Sequence, residues 1–269
     1  MFKKNDKMRP GPTPERVLAV CRLVDQGRGS YTIQDLFRLC ALDDDANTND
    51  EAIRSSIDAA EELEFIEKSN DQKYRLKTDQ KNIESANAFR KAVSCAALKN
   101  KDSTFFKLTS WFISHSDDVL LLNRFSEFAA TVAKSEAGLQ SLTDNDVLGW
   151  RFWMRCLGIA YQYKGTLIPN MKIRLEDAFE LGKVPKDTCM NCIQFVSWLK
   201  ENLPEAAAAC TERQLPLALS NGLRILNSEK KIELISTMDA VRTSLSHMEG
   251  AEINDFSEII IRGGQHELD

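Results

Sequence analysis

Short apolar stripes of helical period that end twice in a strand–turn–strand segment limit the fold of this chain more than any other feature. Val17, Val20, Cys21 and Val24 recur at helical spacing after Pro14, and Gly27 and Gly29 stop them. Thr32 stands at an N-cap position before Ile33, Leu36, Phe37 and Cys40. After an acidic loop over residues 43–48, Ile53, Ile57, Ala60 and Leu63 mark a third helix. Glu64 to Lys68, the turn cluster Ser69-Asn70-Asp71 and Lys73 to Lys77 then read as a hairpin. The pattern returns later. Cys189, Cys192, Ile193, Val196, Leu199 and Leu203 form one helical face that Pro204 ends, and Glu205 to Cys210 reads as a short Ala-rich helix. Thr211 caps a helix with Leu215, Leu219, Leu223 and Leu226. Lys231 to Ile235, a turn at Ser236 to Asp239 and Val241 to Leu245 predict a second hairpin, and Ile259-Ile260-Ile261 one more strand. The copies share order and a length of about 60 residues, the mark of an internal repeat.

Three short helices followed by a two-stranded wing resemble the winged-helix order over residues 14–78. The expected fold is mostly α with short β-hairpins, two winged-helix modules flanking a helical middle domain. The boundaries are a flexible N-terminal tail over 1–13, a first module over 14–80, a middle domain over 81–185, a second module over 186–250, and a C-terminal strand and tail over 251–269. In the middle domain Phe105, Leu108 and Phe112 form one stripe. A longer one runs from Val147 through Trp150, Met154 and Leu157 to Tyr161, opened by Thr143 and Asp144. Gly165, Pro169 and Asn170 break the chain before a short helix with Leu175, Phe179 and Leu181. Winged helices serve both DNA readers and protein-interaction modules, so fold alone does not choose a partner.

Several function classes find little support. No apolar run approaches the roughly 18 residues of a membrane span, and no apolar segment follows the basic start Met1 to Arg9, which predicts a cytoplasmic protein without membrane partners. The seven cysteines are odd in number and scattered, which fits reduced thiols. No phosphate loop, nucleophile elbow or His-Glu-x-x-His occurs, and His115, His247 and His266 are far apart in sequence. The reading is of a protein with no catalytic site, cofactor or metal. Cys189-Met-Asn-Cys192 lacks further ligands at suitable spacing, and both thiols are expected on the buried helix stripe. Trp150-Arg151-Phe152-Trp153-Met154-Arg155 reads mainly as core, leaving Arg151 and Arg155 for a groove.

Local charge says more than the net charge of -5. Residues 41–67 hold ten acids against the single cation Arg54, so duplex DNA should be repelled by the first module's third helix. Residues 68–107 hold ten cations against four acids, a basic stripe over the wing and the helix after it. In the second module Arg213, Gln214, Asn221 and Arg224 accompany the third helix beside Lys230 and Lys231, making that helix the better candidate for base or phosphate contact. The candidate nucleic-acid contacts are therefore Lys73, Arg75, Lys77, Arg213, Gln214, Arg224, Lys230 and Lys231.

Leu215-x-x-x-Leu219-x-x-x-Leu223-x-x-Leu226, then Ile232-x-Leu234 and Asp239-Ala240, together with the winged-helix start, resemble the G accessory protein of the bacterial Dpd system. That system inserts 7-deazaguanine derivatives into DNA. The resemblance implies a non-catalytic subunit of a bacterial DNA-modification or antiviral defence complex, with other subunits and double-stranded DNA as partners and a homodimer left open. A second resemblance is to the kite-type subunits of bacterial SMC complexes, acidic, non-enzymatic and built of two winged helices. It implies a scaffold without direct DNA binding, although the helical segment 81–185 departs from a closely packed tandem. A DNA-associated subunit needs an exposed cationic surface, whereas a scaffold needs an apolar groove and a dimer interface.

Overall fold

Helix α1 (Pro14–Gly27) starts where the Thr13 side chain accepts from the Arg16 N–H and ends where Arg28 turns left-handed at φ 47°. The computed structural model describes residues 1–3, 7–40, 50–120, 125–164 and 166–262. The acidic loop 43–48, Gly165 and the polar tail with His266 lie outside them. The fold is mostly α with short antiparallel strand pairs. Two compact units are present, Met1–Leu108 with Phe125–Leu157, and Thr109–Arg124 with Gly158–Asp269.

In the first unit α1 packs on α2 (Ile33–Cys40) and α3 (Asp50–Glu62), burying Val17, Val20, Leu36, Ile57 and Ala60. Strands β1 (Ile66–Lys68) and β2 (Tyr74–Leu76) form the expected hairpin, with Glu67 opposite Arg75. The segment before α2 joins it: Thr32 bridges antiparallel to Lys73, and the Tyr74 N–H donates to Tyr31 O at 2.9 Å. Short α4 (Lys81–Glu84) leads to α5 (Ala86–Ala97), capped by Ser85. Along the chain come α6 (Thr104–Ser114), α7 (Ser116–Val119), which belongs to the second unit, α8 (Phe125–Ser135) and α9 (Asp144–Cys156). The Thr143 capping box with Asp146 starts α9, and Trp150, Trp153 and Met154 are buried as the stripe predicts.

Residues 1–3 and 7–13, expected as part of a flexible tail, instead contribute to this core. Phe2 stands edge-on to Phe105 and Trp153, each at 5.0 Å. Met8 is fully buried and its N–H donates to Asp146 Oδ1 at 2.7 Å, while Trp153 Nε1 donates to Pro12 O at 2.9 Å. Polar composition conceals two apolar anchors, and Gly149 opens the surface of α9 on which they lie.

In the second unit the stripe expected to run helically to Tyr161 breaks at Cys156. Gly158 at φ 66° turns the chain into β3 (Ala160–Tyr163), paired antiparallel with β4 (Thr166–Pro169). Helix α10 (Lys172–Leu181), strand β5 (Thr188–Asn191) and α11 (Cys192–Asn202), opened by an Asn191 and Gln194 capping box, follow. Glu205 to Ala209 forms turns rather than a helix, and α12 (Leu217–Ser228) starts after Pro216, with Thr211 in a preceding turn.

Strand β6 (Ile232–Ile235) does not pair with residues 241–245 as the sequence suggests. β7 (Thr243–Ser244) pairs instead with β8 (Asp255–Phe256), and β6 pairs with β9 (Glu258–Ile261) in the antiparallel order β5-β9-β6. The register explains the choice. Ile232 faces Ile261 and Leu234 faces Ile259, putting buried apolar residues together, whereas Val241 is exposed. Both units thus contain, in order, helix, strand-like segment, helix, helix, strand, strand, with β7 and β8 intervening before the last strand in the second. In the first these are α1, Thr32, α2, α3, β1 and β2; in the second α10, β5, α11, α12, β6 and β9. In each, the segment before the second helix pairs with the last strand. The corresponding elements of the second unit run from α10, before residue 186, to β9, beyond residue 250.

Candidate nucleic-acid interface

Alternation along β2 and the residues beside it places Lys73, Arg75 and Lys77 on one exposed strip of the first hairpin. Each already has a carboxylate on the same hairpin. Lys73 lies 3.6 Å from Asp71, Arg75 2.6 Å from Glu67 and Lys77 3.4 Å from Glu64. Such solvent-exposed pairs are weak, so a phosphate can compete for these cations, but the strip is closer to neutral than a count of lysines suggests. Ser69 donates to Asp71 and holds its carboxyl below the usual range, with Lys73 adding to the effect.

In the second unit the candidate residues do not form one patch. Arg213 and Gln214 are exposed before α12, and Lys230 is exposed after it. The helix between spans about 18 Å at 1.5 Å per residue. Lys231 belongs to a four-membered network in which it and Lys172 share Glu176 and Glu229. The hydrogen bond to Glu176 raises the Lys231 pKa above its ordinary value against the opposing effect of burial.

Arg224 points inward. Its Nη2 donates to Ser246 O at 2.8 Å and its Nε to Ile253 O at 3.1 Å, tying α12 to the long β6–β9 connection, and burial pulls its pKa down. Asn221 Nδ2 donates to Pro169 O, and Asn227 Oδ1 accepts from the Leu234 N–H. The expectation that α12 offers Asn221 and Arg224 to bases is corrected: both already donate to backbone carbonyls of the surrounding chain.

Sequence reasoning missed the partner of α3. The N-terminal ammonium of Met1 and the Phe2 N–H both bond Glu62 Oε2, at 2.8 and 3.0 Å, and Arg9 Nη1 lies 2.8 Å from Glu51 Oε1. Gly11 comes so close that a Cβ there would stand 2.6 Å from Ser55 Oγ. The first residues therefore run along α3 and partly neutralise its acids. An open cleft of about 670 Å³ lies where they meet α3 and α9, lined by Lys7, Arg9, Arg16, Glu51 and Asp146. On the same helix, burial and the neighbouring Asp58 raise the Glu61 carboxyl. The signal was present in the opposite charges of Met1 to Arg9 and of α3.

The two CxxC thiols part company. Cys189 is exposed on β5, whereas Cys192 is buried at the start of α11 with its thiol donating to Val241 O at 3.2 Å. The shared buried stripe expected for them is thus replaced by a strand-to-helix junction. Among the described residues no group of three or more His, Cys, Asp or Glu gathers as metal ligands. Burial pushes the Cys21 and Cys210 thiols up to about 12. A thiol-disulfide reagent at neutral pH should therefore modify Cys95 and Cys189 at once, and Cys21, Cys192 and Cys210 only in denaturant. Peptide mapping of the labelled chain checks this; fast native labelling of Cys192 would contradict it.

No protein family, curated protein or solved structure matches the chain. No helix among the described residues is long and apolar enough to cross a membrane.

Proposed function

We propose that the protein is a non-catalytic, DNA-associated cytoplasmic subunit of a bacterial DNA-modification or phage-defence complex, built on two winged-helix modules and similar in role to the Dpd G accessory protein. The observation that carries this reading is the recurrence, in both units, of helix, strand-like segment, helix, helix and two strands, with the first strand-like segment beside the last strand. In this reading β1–β2 is a wing, and Lys73, Arg75 and Lys77 meet phosphates by exchanging their hairpin carboxylates for them. Arg213, Gln214 and Lys230 supply further peripheral contacts. Arg224 and Lys231 act as struts, because their charges are engaged within the second unit.

Duplex binding should be weak, salt-sensitive and sequence-independent. Replacing Lys73, Arg75 and Lys77 by Gln should lower affinity and reduce the log–log salt slope by roughly 0.9 for each phosphate that is no longer neutralised. Glu67→Gln, which frees Arg75, should raise affinity. Fluorescence anisotropy with a labelled duplex at several salt concentrations reads all of these. A scaffold without direct DNA contact, of the kite-like kind, is the second reading, favoured by exposed Met238 and Val241 on the β6–β9 connection. Failure of the intact chain to bind duplex at low salt, alone and in its complex, would overturn the first reading in favour of the second.

A further inference from the structure

The β3–β4 hairpin carries two tyrosines that nothing in its own packing requires. Alternation puts Ala160, Leu167 and Pro169 on the buried face. The opposite face presents Tyr161 across from Ile168 and Tyr163 across from Thr166. Tyr161 and Tyr163 are 50% and 58% exposed and lie on the same side of one strand, their backbone positions about 6.6 Å apart at 3.3 Å per residue. Chains generally leave such large rings half in water only singly, not in register.

The charge along this stretch is one-sided. Residues 158–175, the run of the second unit that carries the hairpin, contain no Asp or Glu in a chain with 40 acids. Lys164, at the hairpin tip, holds its ammonium 5.3 Å from the Tyr163 ring centroid, where it adds positive charge beside the ring face. Lys172 and Arg174 come next, but their charges are matched by Glu176, Glu229 and Glu205, so Lys164 is the cation the hairpin offers outward.

We propose that this face is a stacking platform for unpaired bases of a single-stranded nucleic acid, with Tyr161 and Tyr163 each taking a base and Lys164 the phosphate between or beside them. Flat rings accept any base, and base–aromatic stacking contributes substantially without sequence preference. An apolar protein partner would be expected to meet a rim of exposed aliphatic side chains, whereas Ile168 is half-buried and the other cross-strand neighbour is Thr166. A carboxylate-free hairpin with a cationic tip complements a phosphodiester backbone. The inference rests on the hairpin alone and does not need the duplex-binding wing.

Anisotropy of labelled oligothymidylate, titrated with the full chain over a range of salt, tests it. Tyr161→Ala and Tyr163→Ala should each weaken binding at least about fivefold at unchanged salt slope, while the Phe variants stay within about twofold of the parent because the ring is kept. Lys164→Gln should lower the slope by roughly 0.7, the single-strand value per phosphate. The chain with Lys73, Arg75 and Lys77 neutralised should keep its tyrosine dependence, which separates failure of this site from failure of the wing. Circular dichroism melts of these surface variants should match the parent. Lack of oligothymidylate binding at low salt, equal binding by the Ala variants, or equal loss in the Phe variants would overturn the proposal. So would self-association abolished by the Ala variants without nucleic-acid binding, which would assign the face to a second copy of the chain.

Discussion

Gly149→Ala should destabilise the first unit by about 3 kcal/mol, opposite in sign to the usual gain when alanine replaces glycine inside a helix. The reason is a close approach. A Cβ at this position of α9 would stand 2.1 Å from Met8 O and 2.5 Å from Arg9 O, both backbone atoms that no rotamer change can move aside. The N-terminal segment would have to lift away. It would then lose the Met8 bond to Asp146, leave Trp153 Nε1 without Pro12 O, and withdraw Phe2 from between Phe105 and Trp153. Each hydrogen bond contributes about 1 kcal/mol, and a buried donor left unpaired costs more. At about 3 °C per kcal/mol for a chain of this size, the melting temperature should fall by about 8 °C or more, and trypsin should cut sooner after Lys7. Gly250→Ala is the contrast, since nothing lies within 4 Å of its Cβ position and only its φ of 74° opposes the change. A Gly149→Ala chain melting within a degree of the parent would show that the segment does not lie on α9.

The same residues indicate what a one-dimensional reading can see. The first copy was legible because its signals are local: Gly27 and Gly29, the Thr32 turn with Asp35, and the Ser69-Asn70-Asp71 turn each act within a few residues. In the second copy the neighbouring segment 241–245 looked like the partner of β6. The actual partner, β9, is chosen by apolar faces brought together across a long connection, a match that sequence adjacency hides. The spacing of four between Leu157 and Tyr161 fits a helical stripe, although Gly158 at positive φ and alternation through Tyr161, Tyr163, Leu167 and Pro169 mark the change of period. Among the candidate contacts, the exposure of Lys73 and Arg75 was readable from alternation. The inward turn of Arg224 was not, because its partners Ser246 O and Ile253 O are backbone carbonyls of a distant loop and leave no trace in residue type.

Breaking the buried pair between Arg174 and Glu205 should be comparably costly to the second unit. Arg174 on α10 keeps 5% of its side chain exposed and Glu205, in the turn after α11, none. Nε donates to Glu205 Oε1 at 2.8 Å, Nη2 approaches Asn202 O at 3.5 Å, and Glu205 Oε2 is buried with no hydrogen-bond partner. Attraction between the charges is what offsets their removal from water, so deleting either one strands the other. Glu205→Ala and Arg174→Ala should each cost about 3–5 kcal/mol in urea unfolding. The pair replaced together by apolar residues of similar volume, Arg174→Met with Glu205→Leu, should lie close to the parent or above it, because both desolvation costs disappear at once. Additive effects of Arg174→Met and Glu205→Leu, made singly and together, would show that the two groups do not depend on each other. The consequence reaches the tyrosine hairpin: the Arg174 N–H donates to Gly158 O at 3.3 Å, immediately before β3, so the pair fixes the helix start that anchors β3. Glu205→Ala should therefore speed amide exchange in residues 160–169 more than in the first unit, and it should weaken oligothymidylate binding without touching either tyrosine.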